Sequence, residues 1–147
     1  MSDAITADDL AVLTQWDTPT ICNALEEIVP KRRGHGFTTQ HLFALDSSLP
    51  PVCGFARTAT IRAAEQPRET AAEMAAKRTA YYEFVAAGPM PTIAVIQDLD
   101  PVPGIGAFWG EVQTTVHKGL GVVGAVTNGS FRDVPDSARG FHLIGGK

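Results

Sequence analysis

The spacing of apolar and polar residues along this chain predicts both helices and strands. A helix is expected to begin after Thr6, which is followed by acidic residues in the first turn. A second helix is expected to have Thr18 as its N-cap and to end at Pro30. Residues 52–62 read as a strand, and residues 70–87 are good helix formers on balance. The second helix is indicated by Pro19 at its first position and by apolar residues at helical spacing, namely Ile21, Leu25, Ile28 and Val29.

The second half of the chain predicts a strand, a helix and another strand in succession. After a loop-like stretch at 34–51, continuous apolar runs at 92–97 and 122–127 are typical of strands covered on both faces. A helix over 108–118 lies between the two runs. The whole segment 92–127 therefore predicts a βαβ unit, because its crossover is long enough for parallel pairing. The predicted fold class is α/β.

Composition places the chain among globular proteins. Of its 147 residues, 44% are apolar and 19% are charged, which is ordinary for a folded domain. Sixteen acidic and twelve basic residues give a net charge of -4, so no nucleic-acid partner is expected, and the run 31–33 is interpreted as a solvated helix exit. The chain has two cysteines without CxxC spacing, and its N-terminus is unlike a signal peptide, so a cytoplasmic protein is expected. No apolar run is long enough to predict a membrane span.

Two segments are expected to meet beyond the carboxyl ends of the parallel strands, where ligands gather in open sheets. The first is the loop after Gln97, which leads into a helix whose N-terminal amides at 110–113 suit a carboxylate or a phosphate. The second follows Thr127 and carries Arg132 beside Asp133. Together they predict a pocket for an anion and a metal ion.

Simpler interpretations exist for each of these features. Arg132 and Asp133 could form a surface ion pair that contributes ~0–1 kcal/mol, and spacing alone slightly favours that interpretation. Gly104, Gly106 and Gly110 have GxGxxxG spacing without the acidic residue that a dinucleotide site needs, which favours loop geometry over nucleotide binding. The four histidines have no zinc-binding spacing.

One pattern in the sequence consists of Gly110-Glu111, a spacer of twenty residues and Arg132-Asp133. It resembles the signature of the regulator-of-ribonuclease-activity-A-like (RraA-like) family, which includes the 4-hydroxy-4-methyl-2-oxoglutarate aldolases. The resemblance runs from about residue 16 to residue 136. Its supporting stretches are residues 17–25, 54–60 and 124–129.

The resemblance implies a swivelling β/β/α-type domain that assembles into trimers or hexamers with active sites between subunits. Residues 1–147 would form a single domain of this kind that lacks C-terminal strands, with Phe108 and Trp109 at or near a subunit contact. Enzymatic members are metal-dependent class II aldolases that yield pyruvate products and decarboxylate oxaloacetate, a 2-keto acid, using Mg²⁺ or Mn²⁺. The alternative is a ring-shaped regulator that binds and inhibits a ribonuclease or another protein partner.

The resemblance also implies a role for individual residues. Glu111, where the aldolases have an aspartate that positions a catalytic water, and Arg132, at the keto-acid end of the substrate, would be catalytic. Asp133 would hold the metal ion, with waters completing the octahedron. The backbone amides that would hold the substrate carboxylate belong to Gly110, Glu111, Val112 and Gln113.

Overall fold

A computed structural model describes residues 4–134 and 136–146, and its central element is a five-stranded sheet in the order β1-β5-β4-β3-β2. Strands β2 to β5 run parallel to one another, and the short β1 pairs antiparallel with β5. The α/β prediction is confirmed. The strands are β1 (Phe43–Ala44), β2 (Phe55–Ile61), β3 (Thr92–Asp98), β4 (Val122–Thr127) and β5 (His142–Gly145).

Four α-helices accompany the sheet in the described residues: α1 (Ala7–Leu13), α2 (Thr18–Ile28), α3 (Ala71–Ala86) and α4 (Glu111–Gly119). Thr6 caps α1 as expected, through a reciprocal capping box with Asp9. The N-cap of α2 is Asp17 and not Thr18, because the Asp17 carboxylate accepts a hydrogen bond from the Thr20 N–H at 2.8 Å. None of the helices in the described residues is long and apolar enough to cross a membrane.

The predicted βαβ unit is present as β3, α4 and β4, with β3 and β4 parallel. Its helix begins at Glu111, three residues later than predicted. The reason is that the residues just before it adopt an extended conformation, since Trp109 forms a parallel bridge with Phe131 and its carbonyl accepts the Arg132 N–H at 2.9 Å. This bridge links the start of α4 to the segment that follows β4.

The other differences from the predicted elements concern β1, β2 and β5. Strand β2 begins at Phe55 and ends at Ile61, inside the predicted range of 52–62. The stretch 34–51 is mostly irregular as expected, but it includes β1, which pairs with the end of β5. Strand β5 itself had no sequence prediction, because four residues are too few to give a period.

The core lies between the sheet and the helices α3 and α4. Trp109 is completely buried in it and forms a bridge with Phe131, and its expected position at or near a subunit contact stays a prediction. Phe108 is only partly buried against the core. The buried apolar core consists of Val85, Ala94, Ile96, Trp109, Val122, Ala125, Phe141 and Leu143.

One histidine ties the two core helices together. His117 of α4 is fully buried, its Nδ1 lies 2.7 Å from the Gln113 carbonyl, and its Nε2 lies 2.8 Å from the Tyr81 hydroxyl of α3. The carbonyl can only accept, so Nδ1 carries the proton and the Tyr81 hydroxyl donates to Nε2. Burial lowers the pKa of His117 and raises that of the Tyr81 hydroxyl, so both groups stay neutral at pH 7.

This arrangement makes the fold sensitive to acid. Because the pKa of His117 is depressed in the folded state, the unfolded chain takes up the proton first as the pH falls below about 6.5. We expect the free energy of unfolding to be fully retained above that pH and to decline below it, by no more than about 1.4 kcal/mol per pH unit for one proton. Urea unfolding at a series of pH values from about 8 to 5 measures this slope.

The histidine responsible can be identified with two variants. Burial also lowers the pKa of His142, so His142→Asn measures how much of the slope this second histidine contributes. His117→Gln should flatten the slope between about pH 6.5 and 5 while lowering stability overall. An unchanged slope in His117→Gln would contradict the assignment.

Candidate functional site

The N-terminus of α4 presents backbone donors at the carboxyl edge of the sheet. Gly110 is the N-cap and supplies no side chain to satisfy the first turn. The N–H groups of Val112 and Gln113 have no hydrogen-bond partner among the described residues, and that of Glu111 donates to Asp133 Oδ2 at 3.3 Å. Two free amides and the positive end of the helix therefore face outward at this point.

Arg132 and Asp133 lie directly against this helix terminus. The Arg132 N–H to Trp109 carbonyl bond fixes the segment beside it. Asp133 has a φ of 58°, a left-handed conformation that costs most non-glycine residues energy and that aspartate tolerates better than most. Such a conformation persists where the surroundings hold it, which is common in functional sites.

Gly110 is required here for space. Its φ of -155° is open to any residue, but a Cβ at this position would lie 2.5 Å from Asp133 Oδ2 and 2.9 Å from Arg132 Cγ. Only a residue without a side chain lets the carboxylate reach the helix terminus. The glycine and the Arg-Asp pair are thus parts of one arrangement, which the spacing of twenty residues in the sequence only hinted at.

The Arg132–Asp133 ion pair is loose. Arg132 Nε lies 3.8 Å from Asp133 Oδ2, and the two side chains are 64% and 46% exposed. As a surface ion pair it would contribute ~0–1 kcal/mol, which explains neither the left-handed backbone nor the Glu111 N–H bond to the same oxygen. The carboxylate is positioned by the backbone, and the guanidinium remains able to bind a ligand.

The side chains of the other predicted site residues point either to solvent or toward α3. The side chains of Glu111 and Val112 are exposed, the latter at 66%, and only their backbone N–H groups take part in the arrangement described above. Gln113 also contributes a free N–H, but its side chain turns toward α3, where its Oε1 accepts from the Tyr82 hydroxyl at 3.1 Å. The structure therefore brings together Gly110, the amides of 111–113 and the Arg-Asp pair.

Asp133 is the only predicted metal ligand, and the described residues contain no group of three or more potential ligands from histidine, cysteine, aspartate and glutamate. Its Oδ2 accepts the Glu111 N–H, while its Oδ1 has no partner among the described residues. Mg²⁺ commonly binds through one or two carboxylates and keeps several waters. One half-exposed carboxylate with a free oxygen fits a water-rich site of that kind, and would not fit a zinc site.

A buried polar group that the sequence analysis missed fixes the loop leading to the site. Asp98, at the end of β3, accepts the Gly104 N–H at 2.7 Å, and its backbone forms reciprocal hydrogen bonds with the Asn128 side chain at 2.7 and 3.0 Å. Ser130 then donates to the Gly104 carbonyl at 2.7 Å. These bonds join the loop after β3 to the loop after β4.

A second missed carboxylate holds the same loop from the other side. Asp100 Oδ2 accepts the N–H groups of Ala63 and Ala64, both at 2.9 Å, and its own N–H donates to Asp98 Oδ1. Both carboxylates are buried, so they position the loop and do not face a ligand. The available signal was the Asp98-Leu99-Asp100 sequence directly after an apolar strand.

Comparison with known proteins identifies the family of this chain. The sequence profile of the family described as RraA-like, Aldolase/RraA, matches residues 18–141, which include every predicted site residue. The chain belongs to the RraA-like family. This family includes aldolases and decarboxylases as well as regulators, and its members commonly use a divalent metal.

A solved structure supports the fold of this RraA-like chain. It is titled "Crystal structure of novel cellulases from microbes associated with the gut ecosystem" and has a TM-score of 0.72 at 18% identity. The alignment covers 99% of this chain and 61% of that one, so the chain spans about three fifths of the length of that structure. No curated protein sequence matches. The prediction that residues 1–147 form one domain lacking C-terminal strands stays a prediction.

Proposed function

We propose that this RraA-like chain is a divalent-metal-dependent class II pyruvate-type aldolase, an oxaloacetate decarboxylase, or both. The observation that carries the proposal is the convergence of two free helix-terminal amides, an exposed guanidinium and a half-exposed carboxylate at one point of the sheet edge. A 2-keto acid offers a carboxylate and a ketone, and both reactions develop negative charge on it. These groups match that substrate class.

The two ends of the arrangement bind different parts of the substrate. The free N–H groups at 112 and 113 donate to the carboxylate, and the positive helix terminus favours its charge. Arg132 provides an always-charged planar fork for the keto-acid end. Because the guanidinium is only loosely paired with Asp133, binding the substrate costs it little.

Glu111 is the candidate acid–base group for the aldol reaction. Its side chain is exposed on the first turn of α4, on the same turn as the binding amides. In the retro-aldol direction it would accept, through a water molecule, the proton of the C4 hydroxyl. Decarboxylation needs no such base.

Asp133 would hold Mg²⁺ or Mn²⁺ through its free Oδ1. When bound, such an ion supplies Lewis-acid stabilisation of the negative charge that develops on the 2-keto acid. The proposal also includes assembly into trimers or hexamers, with the neighbouring subunit completing the pocket around the substrate.

Oxaloacetate decarboxylation tests the proposal directly. We expect turnover that requires Mg²⁺ or Mn²⁺, that EDTA abolishes and that excess metal restores, measured as pyruvate formed above a control without protein. The alternative is a non-enzymatic regulator that binds a ribonuclease or another protein. Absence of turnover with either metal, in a sample whose fold is intact by circular dichroism, would overturn the enzyme proposal in favour of that alternative.

A further inference from the structure

Outside the candidate site, a cavity of about 580 Å³ lies between α3, the sheet and the start of α4. Its volume falls within the range of small-molecule pockets and far exceeds what a three- or four-carbon keto acid would fill. The apolar side chains that line it are Ala59, Ile61, Met74, Ile96 and Phe108.

The rim of this α3 cavity carries a local positive charge. Four charged side chains line it, and two of them, Glu69 and Lys77, neutralise each other in an ion pair. The other two are Arg62 and Arg78, whose guanidinium groups form no ion pair or hydrogen bond with any described residue. Two unpaired cations thus border one cavity in a chain whose net charge is -4. This favours an anionic ligand.

The inner wall is aromatic, and its hydroxyl groups are already engaged. Tyr81 donates to His117, and Tyr82 donates to Gln113 Oε1. The Tyr81 ring lies 5.6 Å from that of Tyr82 and meets the Phe108 ring edge-on at 6.2 Å. The tyrosines therefore contribute ring surface to the cavity more than hydrogen-bonding capacity. The Gln113 side-chain NH₂ has no partner among the described residues and remains available as a donor.

We propose that the α3 cavity binds a carboxylate that carries one or two aromatic rings. The rings would occupy the apolar floor and pack against the aromatic wall, where edge-to-face contacts are favourable. The carboxylate would lie at the rim, within reach of the Arg62 and Arg78 guanidinium groups. This inference does not rest on the proposed aldolase activity, because Arg132 and Asp133 do not line the cavity and Gln113 lines it with its side chain, whereas its backbone N–H belongs to the candidate site.

Calorimetric titration with 2-naphthoate tests the proposal on the full chain. We expect 2-naphthoate to bind at least ~10-fold more tightly than its neutral analogue 2-naphthalenemethanol, and acetate to show no binding, because both the charge and the rings are required. Equal affinity for the acid and the alcohol would overturn the proposal, as would failure of 2-naphthoate to bind at millimolar concentration.

Variants locate the binding site. The double variant Arg62→Gln, Arg78→Gln should weaken 2-naphthoate binding by ~10-fold or more, whereas Arg68→Gln, an exposed arginine outside the cavity, should leave it unchanged. Ala59→Leu should also weaken binding by filling the floor without altering charge. With folding of each variant checked by circular dichroism, unchanged affinity in both the arginine double variant and Ala59→Leu would refute the assignment.

Discussion

Arg132→Lys is expected to lower kcat/KM for oxaloacetate by ~10- to 100-fold with Mg²⁺ affinity unchanged, whereas Asp133→Asn is expected to weaken Mg²⁺ binding. Lysine keeps the charge but loses the planar fork, and hydrogen bonds to charged groups are worth ~1.5–3 kcal/mol. Asparagine keeps the shape of Asp133 but removes the charge that a hard cation needs. Excess Mg²⁺ should restore part of the Asp133→Asn rate and none of the Arg132→Lys rate. Calorimetric Mg²⁺ titration beside steady-state kinetics measures both effects.

The chain contains a matched control for this pair. Arg139 and Asp136 form another exposed ion pair, with Arg139 Nη2 2.8 Å from Asp136 Oδ1. Arg139→Lys and Asp136→Asn should leave turnover and Mg²⁺ affinity unchanged and shift stability by less than ~1 kcal/mol. If Arg132→Lys and Asp133→Asn behave in the same way as these controls, the surface ion-pair interpretation is correct and the proposed site is wrong.

The parallel core of the fold could be predicted because its signals are local and strong. The apolar runs of β3 and β4 each ended within one residue of the expected position, since a buried strand needs an uninterrupted apolar sequence. The start of α4 could not be placed, because it depends on the bridge between Trp109 and Phe131, which are 22 positions apart. The same residue, Trp109, is completely buried in the core.

The sequence indicated which residues form the candidate site but not how they are arranged in space. Topology alone places Gly110 and Arg132 at one edge of the sheet, since both follow adjacent parallel strands. Neither the left-handed Asp133 nor its acceptance of the Glu111 N–H has a sequence signature, because each depends on how two loops meet. The buried Asp98 was missed for a related reason: a carboxylate at a strand end reads equally well as a surface residue.

Glu111→Gln is expected to slow the retro-aldol cleavage of 4-hydroxy-4-methyl-2-oxoglutarate by ~10²–10⁴-fold, the usual contribution of a positioned acid–base group. The same variant should retain most of its oxaloacetate decarboxylation, because loss of carbon dioxide requires no proton transfer from a C4 hydroxyl. Glutamine preserves size and keeps the Glu111 N–H bond to Asp133, so the backbone arrangement should survive. Both reactions measured on one preparation, at saturating Mg²⁺, give the ratio directly.

The ratio of the two rates separates a chemical role of Glu111 from a structural one. The carboxylate lies in the first turn of α4, where its negative charge also interacts favourably with the positive end of the helix dipole. Such an interaction contributes ~0.3–1 kcal/mol to stability. If the role of Glu111 were purely structural, Glu111→Gln would lower the melting temperature and reduce the rates of both reactions equally. Glu111→Asp provides a second check, since it restores the carboxylate one methylene shorter and should recover part of the aldol rate. Equal loss of both activities in Glu111→Gln, with no recovery in Glu111→Asp, would exclude Glu111 as the acid–base group.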